Sequence, residues 1–195
     1  ARFAREDRER LDHAIEAAFG GDAQRDRGMV CCATQTVQQS LDLDADLLLT
    51  DLCPMDVLLQ RIGRLHRHQR SDRAAGFTTP RCILLLPDQD PSELLGANGR
   101  PRVRHGLGTV YGDLAVIAAT WSTLGDHPII HIPQDNRTLV EATTHPEALE
   151  PWRILDERWS RHANQQLGVG VQHRQQARSN CSRWDLPFDD PQARF

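Results

Sequence analysis

The residues best suited to chemistry lie in one short run, Gln60-Arg61-Ile62-Gly63-Arg64-Leu65-His66-Arg67. Three guanidinium groups and an amide are set among apolar side chains. Arg carries a permanent charge on a planar fork of donors, which suits an anionic ligand. A phosphate whose charge grows during transfer is the most demanding case, and an Arg aimed at it can be worth roughly 10³–10⁵ in rate. On a helix turning about 100° per residue, Gln60, Arg64 and Arg67 share a face about 60° wide. Leu58, Ile62 and Leu65 occupy the opposite side, available for packing. Gly63 costs about 1 kcal/mol relative to Ala in a helix, so a close approach to its backbone is expected. The competing reading is a solvated basic face paired with Asp42, Asp44, Asp46, Asp51 and Asp56.

A second stretch, "CATQTVQQSLDLDADLLLTD", favours the ligand. It places Thr34, Thr36 and Ser40 in a loop after a strand, followed by Asp42, Asp44 and Asp46. Loops at the C-terminal ends of parallel strands are where α/β folds bind ligands. Thr and Gln donors suit phosphate or sugar oxygens, and an Asp suits a ribose hydroxyl. Asp44 and Asp46 can instead be read as an Asp-rich turn satisfying its own amides; Asp42 fits that reading less well.

The elements that must position these groups follow from periodicity. Leu11, Ile15 and Phe19 repeat at four-residue spacing and predict a helix over 5–19, stopped by Gly20-Gly21. Short apolar runs at 29–34, 45–51 and 81–87 predict buried strands, with a helix from Pro54 to about His68 between the last two. Strands apolar on both faces and alternating with helices imply a mainly parallel sheet covered on both sides. A turn-rich segment follows Pro87. Helices are expected over 111–125, over 134–145 with Asp135 or Asn136 as cap, and over 151–168 with Trp152, Leu155 and Trp159 on one stripe. "PIIHIP" (128–133) reads as a short strand. Beyond Gly168 the chain is polar and poorly periodic, and a linker or frayed tail is expected.

Composition narrows the function classes. The net charge is −4 and 39% of the 195 residues are hydrophobic. Nucleic-acid binding must therefore rest on local patches rather than on an overall field. No run approaches the roughly 20 apolar residues of a membrane span, so no membrane partner is expected. All 23 basic residues are Arg. Without Lys there is no Schiff base and no Walker-type phosphate lysine. The five cysteines show no C-x-x-C spacing, and buried, reduced thiols in a cytoplasmic protein are expected. His66 and His68, two residues apart on a presumed helix, point away from each other, so no metal site is expected. Ser40 has no G-x-S-x-G context. The basic loop "RPRVRH" (100–105) reads as solvated, with DNA phosphate contact as the alternative.

Taken together, "ATQTVQQSLDLDADLLLTDLCPMDVLLQRIGRLHRH" resembles motifs V and VI of a superfamily 2 helicase. Within that superfamily it is most similar to the CRISPR-associated helicase–nuclease of type I systems. Q-R-x-G-R-x-x-R marks the superfamily; A-T-Q-x-x-x-Q-S-L-D-x-D-x-D followed by L-x-Q-R-x-G-R-L-H-R-H is particular to the CRISPR branch. "ARFAREDRERLDHAIEAAFG" resembles that family's H-x-R-F-x-x-x-D-R segment without its leading His. "YGDLAVIAATWSTL" and "IPQDNRTLVEATT" resemble the segments that follow, so the likeness covers about residues 1–160. One departure is Gln38, where many members carry Glu.

The resemblance implies a fold and a role. The fold is α/β, a mainly parallel sheet flanked by helices: the second RecA-like, P-loop-NTPase-like lobe, truncated at its N-terminus and followed by a helical extension. The implied division is the incomplete lobe over 1–150, a linker helix over 151–178, and a tail over 179–195 leading toward a C-terminal domain. Arg64 and Arg67 would reach the γ-phosphate of ATP, Gln60 would lie beside the triphosphate and attacking water, and Asp42 would contact the ribose. Thr34, with Thr36, would contact the DNA backbone, and Arg61 would bridge to neighbouring acidic groups. No Walker A sequence, no D-E-A-H-like box and no His-Asp nuclease motif is present, so ATP and Mg²⁺ would be held mainly by a first lobe outside this chain. The divalent metal of the nuclease domain would likewise lie elsewhere. The implied function is 3′-to-5′ ATP-dependent translocation on single-stranded DNA, unwinding and helping to degrade foreign DNA flagged by the guide-RNA surveillance complex. The implied partners are that complex, single-stranded DNA, and the first lobe and nuclease domain of the same protein. The alternative is an inactive helicase-like remnant or binding module.

Overall fold

The computed structural model describes residues 4–34, 41–88, 90–102 and 107–179. Two strands, β1 (Leu47–Asp51) and β2 (Arg81–Leu85), pair in parallel with Leu47 opposite Arg81 and Asp51 opposite Leu85. The crossover between them carries helix α2 (Met55–Ile62). Thr50 and Leu84, partners across the ladder, turn toward the helices, and Leu84 packs into both core clusters. The opposite face holds Leu49, Ile83 and Leu85, all exposed, with Leu86 exposed just beyond. Helices therefore cover one face of this pair, where the alternation had predicted cover on both.

Five further helices are α1 (Arg5–Phe19), α3 (Leu114–Asp126), α4 (Asn136–Thr144), α5 (Pro146–Arg153) and α6 (Glu157–Ser179). The hub is α3, whose Leu114, Ile117 and Ala118 are fully out of water. Around it gather Leu52 after β1, Leu94 and Leu95 from a short 3₁₀ turn, Leu149 of α5 and Trp159 of α6. A second cluster joins Met55, Leu58 and Leu59 of α2 to Leu139 of α4. Burying a Leu or Met contributes roughly 1.5–3 kcal/mol, so these two clusters are what hold the sheet to the helices.

Several expected elements differ, each for a local reason. Helix α2 ends at Ile62 rather than near His68, because the backbone beyond it pairs with Ala45 instead. The Ala45 amide donates to the Arg64 carbonyl at 2.8 Å and the His66 amide to the Ala45 carbonyl at 3.0 Å. Residues 29–34 form no strand; Val30 is 89% exposed, and an apolar run becomes a strand only when a neighbour takes its amides. Residues 128–133 form no strand but a bend leading into a turn. Pro128 and Pro133 have no N–H for a ladder, and the His131 amide donates to the Asp135 carboxylate at 2.6 Å instead. Asp135 is indeed the N-cap residue of α4, with its side chain engaged by that amide rather than by the helix.

The helix expected over 151–168 is broken after Arg153 and restarted by Asp156. Its carboxylate accepts the amides of Arg158 at 2.7 Å and Trp159 at 3.0 Å as an N-cap; the hydrogen bond from the Arg158 guanidinium, and then these amides, hold the Asp156 pKa below its ordinary value. Trp152 and Trp159 still meet, 6.0 Å apart across the break, whereas Leu155 is exposed. Past Gly168 the chain remains helical through Ser179 rather than fraying.

His162 fixes α6 to the core. Its Nε2 accepts the Leu114 amide at the start of α3 at 3.0 Å, and its Nδ1 donates to the Gly99 carbonyl at 3.0 Å. Because Nε2 accepts, the ring is the neutral Nδ1–H tautomer. Gly99 has φ +71°, and a Cβ there would lie 2.7 Å from the Arg158 carbonyl oxygen. Only glycine satisfies both the turn and that approach. His162→Ala leaves a buried donor and a buried acceptor unpartnered, at about 1–3 kcal/mol each. Urea unfolding of this variant is expected to show a loss of about 2–6 kcal/mol, against less than about 0.5 kcal/mol for Leu167→Ala on exposed α6 surface. Equal effects would mean that α6 is not docked through His162.

Candidate functional site

The chain reaches the site through α1. The Phe19 carbonyl accepts the Asp44 amide at 2.8 Å, and Gly20 bridges Leu43. This lays the Leu41–Asp46 run beside the end of α1. On its other side the same run pairs with residues 64–66, as above. His66, at φ +47°, turns the chain so that Arg67 and His68 both face Asp42. Arg67 Nε lies 2.9 Å from one Asp42 oxygen, and His68 Nε2 lies 3.0 and 3.1 Å from the two. Arg64 donates to the Leu41 carbonyl. Burial, and then the neighbouring charge of Arg67, push the Arg64 pKa below its ordinary value against the pull of Asp42.

Asp42, Arg64 and Arg67 thus come together, though not as a helix face. Only Gln60 stands on α2, exposed on its last turn. The shared 60° wedge is replaced by a turn and a loop, which aim the two arginines at the Leu41–Asp42 strip. A Cβ at Gly63 would lie 3.3 Å from the Leu59 carbonyl oxygen, within its own helix end, rather than against a foreign group. Arg61, expected to bridge to acidic groups, donates to two neutral hydroxyls, that of Thr50 at 2.5 Å and the Tyr111 phenol at 3.0 Å. Thr34 lies in exposed coil, and Thr36 falls outside the described residues. Cys53 is buried, but Cys31, Cys32 and Cys82 are exposed, unlike the buried thiols expected. Burial pushes the Cys53 thiol up to about 11, which keeps it a poor nucleophile.

Behind this rim lies a network that pattern-reading missed. The Asp44 side chain is fully buried and takes both oxygens to Arg73, at 2.8 and 3.0 Å, with Arg25 at 3.3 Å and the His68 amide at 3.3 Å. Arg73 also reaches Asp46 at 2.5 Å, and Arg25 pairs with Asp46 as well. Arg70 donates to the Gly21 and Ala23 carbonyls at 2.5 and 2.6 Å, tying the end of the motif to the turn after α1. Asp44 and Asp46 are therefore not a self-satisfied turn. The available signal was the set of arginines flanking the motif, Arg25, Arg70 and Arg73, which equals the acidic run Asp42, Asp44 and Asp46 in number and is opposite to it in charge.

Exposure separates the two sets of arginines. Arg73 and Arg25 are 6% and 13% exposed against a carboxylate at 0%; breaking such a pair costs about 3–5 kcal/mol. The Arg67–Asp42 pair is 43% and 56% exposed, and pairs of that kind contribute about 0–1 kcal/mol. Arg67 can exchange Asp42 for another anion at little cost; Arg73 cannot leave Asp44. The first pair is suited to binding and the second to holding the frame.

A parallel α/β layer that carries a Q-R-x-G-R-x-x-R turn against an L-D-x-D-x-D strip is the second RecA-like lobe of a helicase. The family described as CRISPR-associated nuclease/helicase Cas3, C-terminal, matches residues 1–70. CRISPR-associated endonuclease/helicase Cas3 of Thermus thermophilus is 36% identical over 176 residues, 84% of this chain and 18% of the relative. The crystal structure of T. fusca Cas3-ATP superposes with a TM-score of 0.70 at 30% identity, over 91% of this chain and 19% of that one. A CRISPR RNA-guided surveillance complex in a pre-nicking state contains a chain matching 98% of this one, with a TM-score of 0.68 and 28% identity, over 21% of its own length. The chain belongs to the Cas3 helicase–nuclease family and spans about a fifth of the length of these relatives.

The Asp44 network sets an acid limit on the fold. Burial raises the Asp44 pKa, but the hydrogen bond from Arg73, the His68 amide and the charges of Arg73 and Arg25 outweigh it and hold it below 3.8. Its stabilisation is present above 3.8 and is lost as pH falls through the lowered folded value. Asp44→Asn should lower stability at neutral pH by about 3 kcal/mol or more and flatten the acid limb of the stability–pH curve. Denaturant titrations of both proteins across the acid range check this; parallel acid limbs would remove Asp44 as the cause.

Proposed function

We propose that this chain is the second-lobe half of an ATP-driven helicase acting in CRISPR interference. The observation that carries the reading is the exchangeable Arg67–Asp42 pair beside Arg64, on the family's own motif. Two guanidiniums with one half-exposed carboxylate between them form a site that gains a partner when an anion arrives. The γ-phosphate of ATP, presented by a first lobe, has the charge and the three oxygens for this, and T. fusca Cas3-ATP supports the choice.

In this reading Arg64 and Arg67 neutralise the charge that grows on the transferred phosphoryl group. Gln60, at the end of α2, orients the attacking water beside them. Asp42, once released by Arg67, accepts a ribose hydroxyl. Thr34 and Thr36 hold a phosphate of single-stranded DNA, and ATP turnover moves the lobe 3′-to-5′ along it. Mg²⁺ would be held with the triphosphate by the first lobe. The nuclease domain, with its own divalent metal, would cut the displaced strand. The surveillance complex is the proposed source of the opened target, a choice the match to such a complex supports. Residues 1–150 would form the lobe, 151–178 a linking helix, and 179–195 the lead toward a C-terminal domain, all in the cytoplasm.

The test is DNA-stimulated ATPase of this chain joined to or mixed with a first lobe. Arg64→Ala and Arg67→Ala are each expected to lower kcat by about 10³-fold or more, with the fold retained by circular dichroism. Turnover that survives both substitutions unchanged would overturn the assignment.

A further inference from the structure

His68 follows the arginine motif, and the proposed function gives its side chain no role. Its ring is held from three directions. Nε2 faces both Asp42 oxygens, at 3.0 and 3.1 Å. The ring lies over Gly21 so closely that a Cβ there would come within 2.9 Å of it. The His68 backbone is clamped at both ends, the amide to Asp44 at 3.3 Å and the carbonyl to Arg73 at 2.9 Å. A side chain so fixed, with Nε2 centred on a carboxylate, must carry its proton on Nε2.

We propose that His68 is a positioning residue that sets how firmly Asp42 holds Arg67. The carboxylate oxygen 2.9 Å from Arg67 Nε is also 3.1 Å from His68 Nε2, so the two donors share it. With His68 in place, Asp42 is already partly satisfied and its claim on Arg67 is weakened. Without His68, the whole charge of Asp42 falls to Arg67, and the guanidinium is parked. The buried frame of Asp44, Arg73 and Arg25 thereby reaches the exchangeable pair through a single imidazole. The groups facing the ring are Asp42 and Arg67 at its tip, Gly21 against its plane, and Asp44 and Arg73 at its backbone. Arg67's role toward an anion rests on the function proposed above; the competition for Asp42 does not.

Two measurements test this on separate footings. On the 195-residue chain, NMR of the imidazole nitrogens is expected to show His68 with its proton on Nε2. Solvent exchange of the Arg67 Nε–H should slow by about threefold or more in His68→Ala, and should stay near the native rate in His68→Gln, which restores an N–H donor. Unchanged or faster exchange in His68→Ala overturns the proposal. Should His68→Ala fail to fold, His68→Phe, which keeps a ring over Gly21 but has no donor, takes its place: slowed exchange supports the proposal and a native rate overturns it. With a first lobe supplied, His68→Ala should raise the KM for ATP by about threefold or more while kcat changes less than about twofold. That effect should vanish in an Asp42→Asn background, and a persisting effect there overturns action through Asp42. Turnover indifferent to Arg64→Ala would instead count against the ATP reading, with the exchange measurement still deciding His68.

Discussion

A fully buried carboxylate is tolerable when cations meet it, and Asp44 has two. Most of the site's geometry follows from that requirement. Arg73 must return to Asp44 from the far side of the Arg-rich motif, and Arg25 must come from the turn after α1. Three segments distant in sequence are thereby fixed against one another: the end of α1, the Leu41–Asp46 strip and the 64–73 loop. Hydrophobic packing alone would leave this corner loose, since the two apolar clusters are centred on α3 and α2 and not here. Ion pairing at low exposure supplies the rigidity instead, at a desolvation cost that both guanidiniums are needed to offset.

On that frame sits a half-exposed pair, which comes apart in the proposed function. Arg67 and Asp42 sit close in sequence to members of the buried network but are half exposed. The same two residue types thus serve opposite purposes within one small region, and water decides which is which. Arg64 lies between the regimes, tied to a backbone carbonyl, partly buried and pressed by the charge of Arg67. A phosphate arriving there would relieve that like-charge contact as well as gaining donors, which makes the site better complemented with an anion than without one.

Much of this was legible in the residues. Helix α1, the strands at 47–51 and 81–85, α3 and α4 all followed from the runs and spacing of apolar side chains; α3 and α4 bury Leu114, Ile117 and Leu139 in the two core clusters, whereas Leu11 of α1 is exposed. The grouping of Asp42, Arg64 and Arg67 followed from motif resemblance. Its geometry did not, because helical periodicity continues past Ile62 in the sequence while the backbone is drawn away by Ala45. The reading of 29–34 as a strand failed on the same kind of non-local term: its amides have no ladder among the described residues. His162 was invisible for a different reason. A lone histidine on a polar helix carries no periodic signal, and its two partners, the Gly99 carbonyl and the Leu114 amide, are backbone groups far back along the chain.

The last helix carries a mechanical consequence. Trp159 and His162 seat its first turns in the core, and Gln165 and Gln166 hold the Asn98 and Gly112 carbonyls. From there to Ser179 the helix is a largely solvent-facing rod, roughly 20 Å long at about 1.5 Å per residue. A rod clamped at one end is a lever arm. A tilt of about 10° at the clamp displaces its tip by on the order of 3 Å, so small shifts of α3 are magnified where the chain runs on beyond Ser179.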